Sequence, residues 1–104
     1  MLILKNKVFE VLNANNLILE LTTKSRLSHD QVVTMFTSCQ TPSTRKEILE
    51  LIGYKNHSDN YKKYVEIFMK EGFISYLYPK TPNSSKQKYV LSPNGVSLLN
   101  ILQK

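Results

Sequence analysis

Apolar residues recur at the three- and four-residue spacing of helices in four stretches of the chain after residue 27. They predict helices over about 28–39, 44–52 and 58–71, and a last helix that begins at Ser92-Pro93. Ser28 with Gln31, and Thr44 with Glu47, have the spacing of capping boxes and are expected to start the first two helices.

Proline, glycine and serine residues mark where the predicted helices end or begin. Pro42 follows the first helix, because proline cannot continue the hydrogen-bond ladder. Gly53 lies where a residue with positive φ closes the second helix, and Gly72 ends the third. Ser58 is expected to cap the third helix at its start.

The hydrophobic period changes after Gly72. Residues 73–78 are rich in aromatic and β-branched side chains and predict a strand, 79–86 form a polar loop with two prolines, and 87–91 form the returning strand. The predicted fold class is α+β, mainly α. It is a winged helix-turn-helix over residues 28–104, with a three-helix core, a two-stranded wing and a C-terminal helix.

Residues 1–27 form an N-terminal extension whose pattern allows two structures. Val8, Phe9, Val11 and Leu12 fit one face of a helix. Alternatively, residues 7–12 and 17–23 are strands joined by the asparagine-rich segment 13–16, which suits a turn. We favour this β-hairpin. The extension is either part of a freestanding protein or the remnant of an upstream domain.

The composition favours one small soluble domain. The chain has 104 residues, of which 41% are hydrophobic, enough for one core. No stretch approaches the ~20 apolar residues of a membrane helix, and the opening Met1–Leu4 precedes Lys5, the reverse of a signal peptide's order. Cys39 is the only cysteine and supplies neither an internal disulfide nor a structural zinc site. We expect a cytoplasmic protein.

Positive charge is concentrated in the later part of the chain. Fourteen Lys and Arg against eight Asp and Glu give a net charge of +6. Residues 41–104 hold ten of these bases and five of the acids, so +5 of the +6 lies there. A basic domain of this size favours an anionic partner, and nucleic acid is the commonest one.

Several motifs of the predicted winged helix resemble those of a known domain. They are Ser43–Leu49 with Gly53-Tyr54, Tyr61–Val65, Glu71–Ile74, Pro82–Ser84 with Gln87–Tyr89, and Leu91-Ser92 with Gly95. Together they resemble the C-terminal winged-helix domain of bacterial Schlafen/AlbA-type (RecG-helicase-related) transcriptional regulators and of Fic-type proteins. The resemblance covers about 42–102 and implies a DNA-binding or regulatory appendage. The chain lacks a Fic catalytic motif of the His-Pro-Phe type, so no activity of larger relatives is carried over.

The third helix supplies the candidate base contacts, because in a winged helix it usually enters the major groove. Asn60 and Lys63 are the best candidates, since asparagine pairs with adenine and lysine with guanine. Ser58 lies beside them, and Lys62 is expected to contact phosphate. A solvated helix face is the competing interpretation.

Two flanking clusters are candidates for phosphate contacts. They are Arg45 and Lys46 at the start of the second helix, and Lys80, Ser84, Lys86 and Lys88 on the wing. The competing interpretations are a capped, solvated helix start and a loop that protects a sheet edge.

Other chemistry finds little support in the sequence. Tyr61 and Tyr64 resemble a pattern that stacks single strands, but they fall on or beside the core face, which favours packing. His29 and His57 have no paired serine or cysteine in a recognisable motif, and Cys39 lies on the apolar face of its helix. We expect no enzyme activity, no cofactor and no metal.

The sequence therefore predicts a module that binds double-stranded DNA, is nucleoid-associated and acts in transcriptional regulation. The alternative is a winged helix for protein–protein interaction or dimerisation of a larger regulatory protein. Surplus apolar residues in 1–27 and 96–102 indicate a homodimer interface, a contact with an upstream domain, or a cap over the chain's own core.

Overall fold

The computed structural model describes residues 16–103, which form six helices and one two-stranded antiparallel sheet. In chain order these are α1 (residues 16–25), α2 (His29–Ser38), α3 (Arg45–Leu51), α4 (Ser58–Tyr64), α5 (Glu66–Lys70), β1 (Ile74–Tyr76), β2 (Tyr89–Leu91) and α6 (Pro93–Leu102). The order confirms the predicted α+β, winged-helix-like fold. None of the helices in residues 16–103 combines the length and apolar character that a membrane crossing requires.

Local capping starts the helices where the sequence predicts. The Ser28 hydroxyl accepts the Gln31 N–H, and the Gln31 side chain accepts the Ser28 N–H. Thr44 and Glu47 form the same reciprocal pair at α3. These bonds satisfy N–H groups that have no partner within the helix. The glycine ends are also confirmed, with φ of 95° at Gly53 and 81° at Gly72.

The third predicted helix differs in two respects. His57, and not Ser58, is its N-cap: the His57 Nδ1 accepts the Asp59 N–H at 3.1 Å, and Ser58 is the first helical residue. The predicted continuous helix over 58–71 is divided at Val65, whose φ of −109° departs from the helical value. Val65 is buried, and its β-branched side chain lowers its helix propensity, which suits a break in the helix.

The predicted strand over residues 17–23 is wrong, because residues 16–25 are helical. Ile18, Leu21 and Ser25 are buried at the three- and four-residue spacing of one helix face. A short apolar run fits a strand and a buried helix equally well, which explains the error. The other strand, residues 7–12, and the alternative helix face at Val8–Leu12 lie outside the described residues.

One hydrophobic core joins the N-terminal helix to the winged helix. Ile18, Leu21 and Leu27 belong to the same buried cluster as the apolar faces of α2, α3, α5 and α6. At its centre the ring of Phe36 contacts Phe68 edge-on at 5.6 Å between centroids and stacks with Phe73 at 6.0 Å. For the described residues, the surplus apolar side chains of the extension therefore cover the chain's own core in part.

The sheet is extended by a third short segment. β1 and β2 pair with Ser75 opposite Val90, and on the other side of β2 Ser43 pairs with Tyr89 through two backbone hydrogen bonds of 3.0 and 2.7 Å. Ser43 immediately precedes the cap of α3. This bridge therefore fixes the return strand of the wing against the start of α3.

We expect Gly95→Ala to destabilise the domain, although alanine is the better helix former. A Cβ at Gly95 would overlap the Phe73 carbonyl and lie 2.6 Å from Leu91 Cδ1. Overpacking of this kind costs about 1–3 kcal/mol, which urea denaturation monitored by circular dichroism measures. Asn94→Ala, at the exposed neighbouring position, is the control. Equal stability of the two variants would contradict the close approach of α6 to Phe73 and Leu91.

Cys39 is expected to be inert in the folded protein. It is 1% exposed, as predicted for a packed thiol, and burial raises its pKa to about 12. Reaction with a thiol reagent at pH 8 should be at least ~100-fold slower than in urea, because the thiolate is the nucleophile. The unfolded thiol loses its proton first, so stability should fall as pH rises above about 9. Fast labelling without denaturant would refute the packing.

Candidate nucleic-acid interface

A polar cleft of about 460 Å³ lies between the start of α3 and the wing, the segment 77–88 that joins β1 to β2. We call it the wing cleft. Its lining contains no acidic side chain and consists of Thr44, Arg45, Lys46, Asn56, Tyr61, Tyr76, Pro82, Asn83, Ser84, Ser85, Gln87 and Tyr89. Cationic and neutral hydrogen-bonding groups without an acid suit an anion.

Arg45 is held in place at the edge of the wing cleft. Its Nε donates to the Asn56 Oδ1 at 2.8 Å, which joins the first turn of α3 to the loop before α4. A guanidinium has further N–H donors that this bond does not use. Lys46 follows on the same turn and is exposed. The start of α3 therefore presents two cations, one of them fixed by a neighbouring side chain.

The side chain of Gln87 makes several hydrogen bonds that connect the two sides of the wing. Its Oε1 accepts the N–H groups of Tyr78 at 2.9 Å and Lys88 at 3.2 Å. Its Nε2 donates to the carbonyls of Tyr78 at 2.9 Å and Thr81 at 3.2 Å. The Ser84 hydroxyl also accepts the Lys86 N–H at 3.1 Å. These bonds give the wing a defined shape and set the positions from which its lysines project.

Tyrosines form the floor of the wing cleft. The ring of Tyr89 lies 5.8 Å from that of Tyr61 and 5.6 Å from that of Tyr76, measured between centroids. Burial raises the pKa of both Tyr61 and Tyr89, so their hydroxyls stay protonated. Tyr64 stacks on Tyr54 at 4.0 Å. Tyr61 and Tyr64 are thus packed against other rings, which favours the packing interpretation over single-strand stacking.

The structure brings only part of the predicted site together. Arg45, Lys46 and Ser84 line the wing cleft. The other predicted wing residues, Lys80, Lys86 and Lys88, are exposed, as are Ser58, Lys62 and Lys63 on α4.

Asn60 makes a hydrogen bond within the chain. It is half-buried, and its Nδ2 donates to the Lys55 carbonyl at 2.9 Å, closing the loop before α4. Its amide therefore supports the turn in this structure.

Acidic partners neutralise lysines elsewhere, but not at the predicted site. Lys24 pairs with Glu20 at 2.7 Å and Lys70 with Glu66 at 2.9 Å. Among residues 16–103, no acid lies within 4.0 Å of the cationic group of Arg45 or of any predicted site lysine. The Thr44 backbone and hydroxyl lower the pKa of Glu47, with a smaller contribution from Lys88. That contribution places positive charge from the wing near α3.

Three residues that line the wing cleft have no role in the sequence analysis: Asn56, Asn83 and Gln87. Asn83 and Gln87 belong to motifs that carry the resemblance. The hydrogen bonds of Gln87 to residues six and nine positions earlier leave no periodic pattern in the sequence. Asn56 meets Arg45 across eleven positions. Within residues 16–103, no group of three His, Cys, Asp or Glu side chains is placed to hold a metal ion.

Comparison with known proteins identifies the domain. No curated protein and no solved structure matches the chain. The family model described as "Filamentation induced by cAMP protein Fic-like, C-terminal domain" matches residues 30–92, more than half of the chain. This segment runs from α2 to the cap of α6 and contains the whole wing cleft. It confirms the Fic-type part of the resemblance, while the Schlafen/AlbA part stays a prediction. The chain belongs to the Fic-like C-terminal domain family.

Proposed function

We propose that this domain binds double-stranded DNA, with α4 in the major groove and the wing cleft against a flanking phosphate backbone. In this proposal the domain is a bacterial, nucleoid-associated regulator of transcription, or the DNA-binding part of one. The resemblance to the RecG-related regulators supports this context. The proposal assigns the domain no catalytic step.

The observation that carries the proposal is the convergence of α3 and the wing on one acid-free cleft. Arg45 and Lys46 come from α3 and Ser84 from the wing, and they are distant in sequence. Cations that only make a surface soluble need no particular arrangement, whereas these cations line one cleft together with hydroxyl and amide donors. Phosphate is recognised by this combination of charge and neutral donors.

The proposed contacts follow from the exposure of each side chain. Arg45, Lys46, Lys62 and the three wing lysines meet phosphates. Lys63, with Ser58 nearby, is the better candidate for base edges. The Asn60 Nδ2 already donates to the Lys55 carbonyl and competes with bidentate pairing to adenine, so Asn60 is the secondary candidate. A surface dominated by lysine contacts gives strong salt dependence and limited sequence discrimination.

The alternative is a protein-interaction module, which one feature favours. Leu19, Leu51 and Val96 are 66%, 58% and 41% exposed, high values for large apolar side chains. Val96 lies in the segment 96–102 that the sequence assigned to a dimer or an upstream domain, whereas Leu98 and Leu99 of that segment are buried in the core. Self-association of the domain without any binding to DNA would support this alternative.

Binding to duplex DNA should depend steeply on salt. If about five of the six proposed cations each neutralise a phosphate, log affinity should fall with log salt at a slope near −4.5. Arg45→Ala/Lys46→Ala should weaken binding to a random 30-base-pair duplex and reduce the slope by about 1.8, the equivalent of two phosphates. Fluorescence anisotropy at several salt concentrations measures both quantities.

Lys70→Ala is the matched control for this experiment, because Lys70 is paired with Glu66 and lies outside the wing cleft. Its effect on the slope should be small. A wild-type slope near zero, or no binding at low salt by folded protein, would refute DNA binding. Light scattering on the same sample would then show whether the domain self-associates, as the alternative requires.

Gln87→Ala should weaken duplex binding although Gln87 carries no charge. Loss of its hydrogen bonds frees the wing, so binding must then order it again, and we expect an affinity loss of about fivefold with little change in salt slope. Hydrogen exchange should show faster exchange of the Tyr78 and Lys88 amides. Thr81→Ala, at an exposed wing position outside the lining of the wing cleft, is the control. Unchanged exchange at both amides would contradict the role of Gln87.

A further inference from the structure

We propose that Arg26 and Lys63, with Lys24 beside them, form a second phosphate-binding site on the flank of α4 that faces away from the wing cleft. This inference rests on the proposed duplex binding and extends it to the chain before α2. The partner is the second phosphate backbone of the same major groove.

A separate cleft of about 350 Å³ brings these residues together. It is lined by Lys24, Arg26, Lys63 and Tyr64. Lys24 comes from α1 and Arg26 from the segment between α1 and α2, whereas Lys63 and Tyr64 belong to α4. The sequence analysis assigns Lys63 to base edges, a role that the phosphate contact proposed here replaces, and it gives Lys24 and Arg26 no role.

Helix geometry places Lys63 on the flank of α4 opposite to Tyr61. Residues advance by about 100° each around a helix, so Lys63 is about 200° from Tyr61. Tyr61 lines the wing cleft, and Lys63 lines the second cleft. Lys62 falls on the exposed ridge between them. A helix with side chains is about 10–12 Å across and the major groove about 12 Å wide, so both flanks approach a backbone when the ridge enters the groove.

Arg26 has an unusual backbone for its residue type. It follows the last residue of α1 with a φ of 61°, in the left-handed region that glycine normally occupies after a helix. Its neighbours Ser25 and Leu27 are buried, and the Leu27 N–H bonds to the Ser25 hydroxyl at 3.3 Å, so the surrounding chain fixes this conformation. Glycine would relieve the strain but would remove the guanidinium from the cleft.

In the second cleft, acidic side chains pair with Lys24 but not with Arg26 or Lys63 among the described residues. Lys24 is neutralised by Glu20 at 2.7 Å, with Glu71 at 3.9 Å. In the described part of the chain, no acid lies within 4.0 Å of the cationic group of Arg26 or Lys63. Arg26 and Tyr64 line the same cleft, so the guanidinium lies on the side of α4 that carries Tyr64 and Lys63. Arg26 and Lys63 are therefore the groups available to a phosphate.

Arg26→Gly separates a binding role from a structural one. Glycine fits the positive φ, so the variant should melt at the same or a higher temperature. Its affinity for the 30-base-pair duplex should nevertheless fall about fivefold, and the salt slope should fall by about 0.9, the value for one phosphate. Arg26→Lys keeps the charge and should bind within about twofold of wild type, since a phosphate accepts either cation.

Lys63→Ala, a change at an exposed position of α4, should reproduce the loss and keeps the test decisive if Arg26→Gly folds poorly. Lys70→Ala again controls for net charge. Wild-type affinity and slope in both Arg26→Gly and Lys63→Ala would overturn the second site and leave duplex binding through the wing cleft intact. Salt-independent wild-type binding, or no wild-type binding, would overturn both. Loss of stability in Arg26→Gly with unchanged affinity would make Arg26 structural.

Discussion

The backbone bridge between Ser43 and Tyr89 is the contact on which the geometry of the wing cleft depends. Its two hydrogen bonds join the residue before the α3 cap to the return strand of the wing. The Ser43 hydroxyl also donates to the Ser38 carbonyl at 2.8 Å, so the end of α2 is included. Because Tyr89 also supplies part of the cleft floor, the same residue sets the strand register and the shape of the wing cleft.

Features fixed by neighbouring residues could be predicted from the sequence. The two capping boxes and the glycine ends depend on groups within a few positions of each other, and the structure confirms them. Local patterns did not distinguish His57 from Ser58 as the cap of α4, since both side chains offer an acceptor at the start of the same helix. They also did not distinguish helix from strand for residues 17–23, because only the packing of these residues against the core decides between the two.

The candidate site was predictable in its charge but not in its geometry. Charge asymmetry and helix order led to Arg45, Lys46 and the wing lysines without any knowledge of contacts. That Asn56 orients Arg45, that Gln87 shapes the wing and that Asn60 bonds to the Lys55 carbonyl are matters of side-chain contact across loops. No sequence pattern marks Arg26 either, because its left-handed backbone and its position beside Lys63 follow from how the chain folds.

Under the proposed function, the two clefts would supply affinity for DNA rather than discrimination between sequences. Phosphate contacts on both flanks of α4 would fix the position and depth of the helix in the groove but would read no bases. Base reading would then fall to the few exposed side chains on the ridge and the first turn of α4, and lysine there discriminates less sharply than a bidentate arginine. Under the proposed function, the architecture therefore favours strong, salt-sensitive anchoring of whatever is attached to the domain over the recognition of a long specific sequence.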